Sequence, residues 1–213
     1  FVTTEVRTAE MLKYVNNTFH ALKITFANEV GNICKKLGID SRELMRIFCM
    51  DNKLNISSYY LNPGFAYGGS CLPKDLKALR TMAHDLYVRC PVIESIEISN
   101  EMQKDLVLNK IIEFGKNKVG FLGLSFKAGT DDLRNSPIID VIEKLLGKGF
   151  DVRIYDRNVN LSNLLGSNRE FIRQKIPFVS RFISERLEQF IEHSDVIVLV
   201  NKEREFITLL ENN

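Results

Sequence analysis

The residues best suited to chemistry lie in one short segment, GFAYGGSCLPKD, in which a cysteine is followed closely by a lysine and an aspartate. Pro73 suits the first turn of a helix, so Cys71 is predicted just before a helix N-terminus. The backbone N–H groups there favour the thiolate, and Lys74 adds positive charge beside the sulfur. Asp75 follows the cysteine by one helical turn, where a carboxylate can act as a base or orient a water molecule. This pattern predicts a nucleophilic cysteine.

The glycines of the same segment support that interpretation. Gly64, Gly68 and Gly69 allow the backbone to approach a ligand closely or to adopt positive φ. The alternative is that Cys71 is a small buried apolar side chain, which is the common role of a free cysteine. The glycines and the Lys–Asp pair favour the nucleophile. The remaining cysteines have no such neighbours and are predicted to be packing residues: Cys34, Cys49 and Cys90.

A polar stripe is predicted along the first helix, formed by Lys13, Asn17, His20 and Asn28. At 100° per residue these positions fall within about 80° of one another. Exposed helix faces are usually rich in Lys and Glu, whereas this stripe holds two amides, an imidazole and one amine. Such groups suit the orientation of a polar ligand. The alternative is an ordinary solvated face of an amphipathic helix.

A third candidate site follows the first predicted strand, in the segment GFLGLSFKAGTDDLRNSP. Lys127 and Arg134 flank this loop close to a helix N-terminus, which suits an anion and predicts a nucleotide diphosphate as ligand. Gly120 and Gly123 form G-x-x-G, which is not the dinucleotide fingerprint, and Asp156 is the one acidic residue placed after the next strand for a ribose. The alternative is a loop with ordinary surface charges.

The elements that must position these groups divide the chain near residue 116. Helical periodicity predicts helices over residues 3–37, 41–48, 74–86 and 91–114. Beyond them, the short apolar strands KVGFLGL, DVRIYD and DVIVLV alternate with the helical patterns SPIIDVIEKLLGKG and SERLEQFIEHS. We therefore predict an all-α central domain over residues 1–115. A doubly wound parallel α/β domain is predicted over residues 116–213, incomplete at its end because three strands make a thin sheet.

Composition narrows the function classes. The 213 residues include 29 basic and 27 acidic side chains, a net charge of +2, so composition gives no reason to expect a nucleic-acid or membrane partner. No apolar run approaches the roughly 20 residues of a membrane span. No C-x-x-C pair and no zinc-finger spacing occurs, so no metal site is expected. The first residues lack the layout of a signal peptide, and a reduced cytoplasmic protein is predicted.

Three motifs carry a resemblance to a known family: KYVNNTFHALKITFANEVGN, NPGFAYGGSCLPKD and GLSFKAGTDDLRNSP. They occur in the order and spacing of the UDP-glucose/GDP-mannose dehydrogenase family, which the sequence resembles over nearly its whole length. The segments FKAGTDDLR and SCLPKD are most similar to the branch that acts on GDP-mannose. The resemblance implies a Rossmann-like C-terminal domain and a four-electron oxidation of the sugar C6 alcohol to a carboxylate, with two NAD per turnover.

The resemblance also implies roles for individual residues. Cys71 matches the nucleophile that forms a thiohemiacetal and then a thioester. Lys13 and Asn17 match the residues that stabilise the oxyanion and hold a water, and Asp75 matches the assisting base. Arg134 matches a cofactor contact. The positions that match substrate contacts are His20, Asn28, Tyr59, Tyr60, Asn62, Phe65, Gly68 and Lys127, with an Arg often found in relatives at the Asn62 position.

Family members also carry an N-terminal NAD-binding domain, which has no counterpart in this sequence. The resemblance therefore implies a fragment that is inactive by itself and forms a homodimer through the long first helix. Two alternatives to a GDP-mannose enzyme remain at this point. One is a dehydrogenase of a UDP-sugar such as UDP-glucose or a UDP-N-acetylhexosamine. The other is a sugar-nucleotide-binding dimer without catalysis.

Overall fold

The computed structural model describes residues 3–57, 64–125, 133–156, 181–201, 203 and 206–207. Six helices are found there: α1 (Val6–Leu37), α2 (Ser41–Phe48), α3 (Cys71–Asp85), α4 (Pro91–Glu113), α5 (Pro137–Gly147) and α6 (Leu187–His193). Three strands follow α4 and alternate with α5 and α6: β1 (Lys118–Leu122), β2 (Asp151–Tyr155) and β3 (Val196–Leu199). Each predicted helix and strand is present, with small differences at the ends.

One of those differences affects the cysteine. The helix predicted from Lys74 begins three residues earlier, so Cys71 is the first residue of α3 and not the residue before it. The physical reason is that proline is tolerated within the first turn of a helix. Pro73 has a φ that already suits the helix, and its missing N–H would have no intrahelical partner at that position.

The helix ends follow the predicted signals. Gly38 ends α1 in the left-handed conformation with φ of 70°, and the next backbone N–H, of Ile39, donates to the carbonyl of Cys34 at 2.9 Å. Asp40 then caps α2, because its Oδ1 accepts hydrogen bonds from the backbone N–H groups of Arg42 at 2.9 Å and Glu43 at 3.3 Å. Local sequence therefore determines where α1 ends and α2 begins.

The three strands form a parallel sheet in the order β2–β1–β3. Lys118 of β1 pairs with Asp151 of β2, and Val119 pairs with Val196 of β3. This confirms the predicted parallel βαβ arrangement. The largest core cluster packs on the sheet from α4 and α5 and comprises Leu108, Ile111, Val119, Phe121, Leu124, Leu133, Ile138, Ile139, Val141, Ile142, Leu145, Val152 and Ile154.

Gly120, in the middle of β1, makes room for α6. A Cβ at this position would lie 2.6 Å from Cζ of Phe190 and in contact with Oγ of Ser194. Phe190 is fully buried and packs in a second cluster with Leu122 and Phe206. The first glycine of the G-x-x-G segment is therefore required by helix packing within the fold.

The chain separates into two compact units. The first comprises Phe1–Gly64 with Asp75–Ile98, and the second comprises Phe65–Lys74 with Ser99–Asn213. Described residues of the first unit form helices joined by turns, and a small buried cluster holds Ile33, Ala83, Cys90 and Ile93. The second contains the sheet and also the loop that precedes Cys71. The predicted domain boundary between residues 115 and 116 stays a prediction.

An ionic cluster joins α4 to α5 inside the second unit. The Nζ of Lys104 lies 2.6 Å from Oε1 of Glu101 and 2.6 Å from Oδ2 of Asp140, and the lysine side chain is only 10% exposed. Burial lowers the pKa of Lys104, but hydrogen bonds and charge from Asp140 and Glu101 together outweigh it, so the net pKa is raised.

Among the described helices, none has the length and apolar character to cross a membrane.

Candidate active site

The loop that leads to Cys71 is packed tightly against the turn before α5. A Cβ on Gly68 would collide with the carbonyl oxygen of Asn135 and would lie 2.7 Å from Cδ of Pro137. Gly69, with φ of 85°, adopts the left-handed region that favours glycine. Gly69 therefore has the positive φ that the motif predicted, whereas the close approach at Gly68 is to the backbone of Asn135. Gly64 has nothing within 4 Å of its Cβ position.

Cys71 presents a free, exposed thiol at the first position of α3. Its Sγ lies 3.8 Å from Oγ of Ser70. The backbone N–H groups of the first helical turn, beside this thiol, can donate to a negatively charged group of a ligand. Lys74 and Asp75 are both exposed and follow on the same helix. The arrangement can present a sulfur nucleophile to a ligand from solvent.

The other cysteines divide into two groups. Cys34 and Cys90 are buried, as predicted, whereas Cys49 is exposed and the prediction of a packing role for it is wrong. The reason is its position just after α2, because none of the residues of that short helix is buried. Burial raises the pKa of the Cys90 thiol, and the nearby carboxylates Glu29 and Glu94 act in the same direction.

The sequence analysis did not select two asparagines that hold the loop before Cys71. This loop, residues 64–70, is called the cysteine loop. Asn100 of α4 accepts at Oδ1 from the backbone N–H of Tyr67 at 2.8 Å and donates from Nδ2 to the carbonyl of Tyr67 at 3.0 Å. Asn135 donates from Nδ2 to the carbonyl of Gly69 at 3.1 Å. The position of Asn135 before the Ser-Pro helix start was a usable turn signal. Nothing in the helical pattern around Asn100 identified it.

Buried polar residues gather where the parallel strands end. Asp156, which follows β2, accepts at Oδ2 from the backbone N–H of Leu124 at 2.7 Å, and Ser136 donates to the carbonyl of Leu124 at 2.7 Å. The Asp156 carboxylate therefore holds the backbone after β1, and a contact of this residue with a ribose stays a prediction. Both side chains are more than nine-tenths buried.

Asn201, which follows β3, is a third polar residue that the sequence analysis did not select. Its Nδ2 lies 3.4 Å from Oγ of Ser125 and fills the space in front of Gly123, whose φ is 95°. The residue is 9% exposed, and within the described part of the chain its Oδ1 has no hydrogen-bond partner. An unpaired buried acceptor at this end of a parallel sheet is a polar group that a ligand can satisfy.

Arg134 lies in the turn before α5 and is half-buried. The helix that follows starts with Ser136 as N-cap and Pro137 in the first turn, as predicted. A guanidinium beside a helix N-terminus suits an anionic group such as a pyrophosphate. These residues therefore fit a contact with a phosphorylated cofactor. Phe65, in the same unit, is exposed.

The predicted polar stripe lies on one helix, because the backbone is helical at all four of its positions in α1. The side chains of Lys13, Asn17 and His20 fall outside the described part of the structure. Asn28 is exposed and lines an open cavity of about 710 Å³ together with Asn32, Lys35 and Arg42. A cavity of this size is in the range of small-molecule sites. Tyr59, Tyr60, Asn62 and Lys127 also lie outside the described residues.

Comparison with known proteins agrees with this arrangement of helices, sheet and cysteine loop. The central domain of the UDP-glucose/GDP-mannose dehydrogenase family matches residues 7–102, and the family's UDP binding domain matches residues 120–212. The chain belongs to the UDP-glucose/GDP-mannose dehydrogenase family.

Several relatives are similar over nearly the whole chain. It is 50% identical to the GDP-mannose 6-dehydrogenase of Pseudomonas putida over 204 residues, which cover 96% of this chain and 47% of that protein. Identity to the UDP-glucose 6-dehydrogenase of Rickettsia bellii is 36%, covering 98% of this chain and 46% of that protein. The chain thus spans about half the length of the curated relatives it matches.

Solved structures give the same result. The ternary complex of GDP-mannose dehydrogenase from Pseudomonas aeruginosa superposes with a TM-score of 0.90 at 48% identity, over 99% of this chain and 48% of that chain. A UDP-glucose dehydrogenase from the archaeon Pyrobaculum islandicum superposes with a TM-score of 0.59 at 28% identity, over 95% of this chain and 45% of that chain. The fold is therefore that of nucleotide-sugar dehydrogenases over the part covered.

Proposed function

We propose that this chain supplies the cysteine nucleophile and the nucleotide-binding sheet of an NAD-dependent enzyme that oxidises GDP-mannose at C6 to GDP-mannuronate. The observation that carries the proposal is the exposed Cys71 thiol at the N-terminus of α3. The loop that precedes this cysteine has no room for a side chain at Gly68. The identity of 50% to a GDP-mannose 6-dehydrogenase supports GDP-mannose over other sugar nucleotides.

In the proposed reaction the C6 alcohol first loses a hydride and its hydroxyl proton to give the aldehyde. The thiolate of Cys71 then attacks the aldehyde carbon, and a C–S bond forms as the carbonyl oxygen takes a proton. Loss of a hydride from that carbon and of the hydroxyl proton converts the thiohemiacetal to a thioester. Water then breaks the C–S bond, which releases the carboxylate and returns the thiol. Bound NAD would accept one hydride in each of the two oxidation steps.

The remaining roles rest on the family motifs. Lys13 and Asn17 stabilise the oxyanion and hold the water, which is an electrostatic contribution of the kind acyl chemistry needs. Asp75 acts as the base that assists hydrolysis, and Arg134 contacts the cofactor phosphate. The proposed substrate contacts are His20, Asn28, Tyr59, Tyr60, Asn62, Phe65, Gly68 and Lys127. The unpaired Oδ1 of Asn201 supports a ligand with a hydrogen-bond donor at the sheet edge.

We also propose that two chains associate through α1, because this helix exposes apolar side chains along its length, including Val6, Leu12, Phe19 and Leu22. Such residues gain free energy when a partner covers them. Sedimentation velocity at micromolar concentration should give a dimer, and a monomer would contradict this part of the proposal. The proposed compartment is the cytoplasm.

A second candidate is a dehydrogenase of a UDP-sugar, which the match to a UDP binding domain favours. Calorimetric titration of the chain with GDP-mannose and with UDP-glucose separates the two. Tighter binding of GDP-mannose is expected, and tighter binding of UDP-glucose would overturn the choice of substrate. If the chain binds either sugar nucleotide but lacks activity with NAD, it acts by itself as a binding dimer, the third candidate.

The role of Cys71 is tested by alkylation. Iodoacetamide should modify Cys71 in the free chain, and saturating GDP-mannose should slow that modification. In a protein that also carries the family's NAD-binding domain, Cys71→Ser should abolish acid formation, whereas Cys49→Ser should not. Full activity of the Cys71→Ser protein would remove this residue from the mechanism.

A further inference from the structure

The side-chain amide of Asn100 makes two hydrogen bonds, and both go to the backbone of Tyr67 in the cysteine loop. Asn100 Oδ1 accepts from the N–H of Tyr67 at 2.8 Å, and Asn100 Nδ2 donates to the carbonyl of the same residue at 3.0 Å. This is the exchange of two hydrogen bonds that a residue makes with its partner in an antiparallel ladder. A half-buried amide with both bonds made fixes the position and the orientation of the Tyr67 peptide groups.

The next two loop residues are held by the turn before α5. Asn135 has φ of 50°, in the left-handed region, and its Nδ2 donates to the carbonyl of Gly69 at 3.1 Å. Its own carbonyl oxygen and Cδ of Pro137 close the space in front of Gly68. Three consecutive loop residues are therefore each fixed by a group of the same compact unit.

We propose that Asn100 and Asn135 are positioning residues that clamp residues 67–69 and thereby place the Cys71 thiol. The clamp itself rests on the hydrogen bonds above, and its consequence for catalysis rests on the proposed function. Cys71 follows the clamped segment by two residues and opens α3, so a loop released at Tyr67 or Gly69 lets the first turn of that helix fray. A displacement on the order of 1 Å at a reacting group can cost about a hundredfold in rate.

Isosteric variants separate the hydrogen bonds from the packing. Asn100→Asp keeps the shape and the acceptor for the Tyr67 N–H but sets a carboxylate oxygen against the Tyr67 carbonyl. Asn135→Asp is tolerated in the left-handed conformation, keeps the shape, and replaces the Nδ2 donor to the Gly69 carbonyl by an oxygen. The matched control is Asn109→Asp, which makes the same chemical change at an exposed position of α4.

The two measurements are hydrogen exchange of the backbone amides of residues 67–75 and protection of Cys71 from iodoacetamide by GDP-mannose, in a Cys49→Ser background that removes the other exposed thiol. Both clamp variants should speed this exchange, because a loop released at Tyr67 or Gly69 lets the first turn of α3 fray. They should also weaken protection by GDP-mannose by about tenfold or more. Asn109→Asp should match the parent protein in both measurements.

The outcomes distinguish the two proposals. If GDP-mannose does not protect the parent protein, but amide exchange still speeds up in the clamp variants, the clamp stands and the proposed substrate falls. If the parent is protected and the clamp variants behave like Asn109→Asp, the clamp is overturned. Should the variants not fold, hydrogen exchange of the Tyr67 amide in the unmodified chain decides. Slow exchange is expected, and exchange at the rate of an open loop would contradict the clamp.

Discussion

The buried carboxylate of Glu29 in α1 accepts, at Oε2, a 3.0 Å hydrogen bond from the backbone N–H of Ile93 in the first turn of α4. Its other oxygen, Oε1, accepts from the N–H of Val92 at 2.8 Å. Glu29 is 5% exposed, so both bonds are shielded from water. A helix N-terminus is a favourable place for an anion, and one side chain here satisfies two of its unpaired donors. This contact links two helices of the first unit.

Replacing Glu29 with alanine should destabilise the chain by about 3 kcal/mol, because two buried N–H groups lose their acceptor. Glu29→Gln retains one acceptor but sets its NH2 group against the other N–H, and it should cost about 2 kcal/mol through that lost bond and the lost charge. Urea unfolding followed by circular dichroism measures both values. Glu10→Ala, at an exposed position of α1, is the control and should change stability little. Equal effects of the three variants would contradict this role for Glu29.

Lys104→Met should cost about 2 kcal/mol at pH 7, because it removes the largely buried cation that contacts both half-exposed Glu101 and partly buried Asp140. Lys144→Met breaks the 2.6 Å pair with Asp105 between largely exposed side chains, and it should cost about 0.5 kcal/mol. Comparison of the urea midpoints measures the difference. Similar losses in the two variants would show that burial does not set the strength of the Lys104 pair.

The same lysine predicts a pH dependence. The pKa of Lys104 in the folded chain is raised above its ordinary value of 10.5, so the folded state holds this proton more tightly than the unfolded state. Its contribution to stability is present in full below that ordinary value and is lost as pH rises through the folded pKa. Stability measured from pH 8 to pH 11.5 should therefore fall more steeply in the unmodified chain than in Lys104→Met. Parallel curves would exclude this linkage.

Gly68→Ala should disturb the cysteine loop, because the new Cβ collides with the backbone carbonyl of Asn135, which has no flexible end to move away. A loss of about 1 to 3 kcal/mol is expected, with weaker protection of Cys71 by GDP-mannose. The control is Gly64→Ala, a position with open space around its Cβ. Thermal unfolding and alkylation are measured on both proteins, and unchanged behaviour of Gly68→Ala would refute the close approach.

The four thiols should react in two classes. Cys49 and Cys71 are exposed and should be modified rapidly by a disulfide reagent at pH 8, whereas Cys34 and Cys90 should react only when the chain unfolds. Burial, with Glu29 and Glu94, raises the pKa of Cys90 and keeps it a neutral thiol in the folded chain. Its contribution to stability is lost as pH rises above the ordinary value of 9.0 toward the folded pKa. Mass spectrometry of the modified peptides identifies the order, and early labelling of Cys90 would contradict it.

Most of the secondary structure of the described residues was predictable, because its signals are local. The glycine at position 38 ends α1 and the aspartate at 40 caps α2, as expected from their types and positions. The candidate site was less predictable, since its supporting contacts join residues far apart in the chain. Asn100 meets Tyr67 across 33 positions, and Asn135 meets Gly69 across 66. Residue spacing along one helix or loop carries no information about such pairs.

The hydrogen bond of Asp156 is another long-range contact that residue spacing did not predict. The position of Asp156 after β2 suggested a ribose ligand and gave no indication that its carboxylate accepts from the Leu124 backbone, 32 positions earlier. The sequence predicts that an acidic residue lies at the end of a strand. Which backbone N–H donates to it depends on the neighbouring strand with which that strand pairs. The exposed Cys49 is a similar case, since burial depends on whether another element covers the residue.

The contact between Gly120 and Phe190 has a consequence for how the chain can vary. Because the ring occupies the space in front of the glycine, the two positions cannot change independently. Alanine at 120 should be tolerated only when 190 carries a smaller side chain, so a double-mutant cycle with Phe190→Leu should show strong positive coupling. In a library that randomises both positions, folded clones should conserve the combined volume of the pair rather than the identity of either residue.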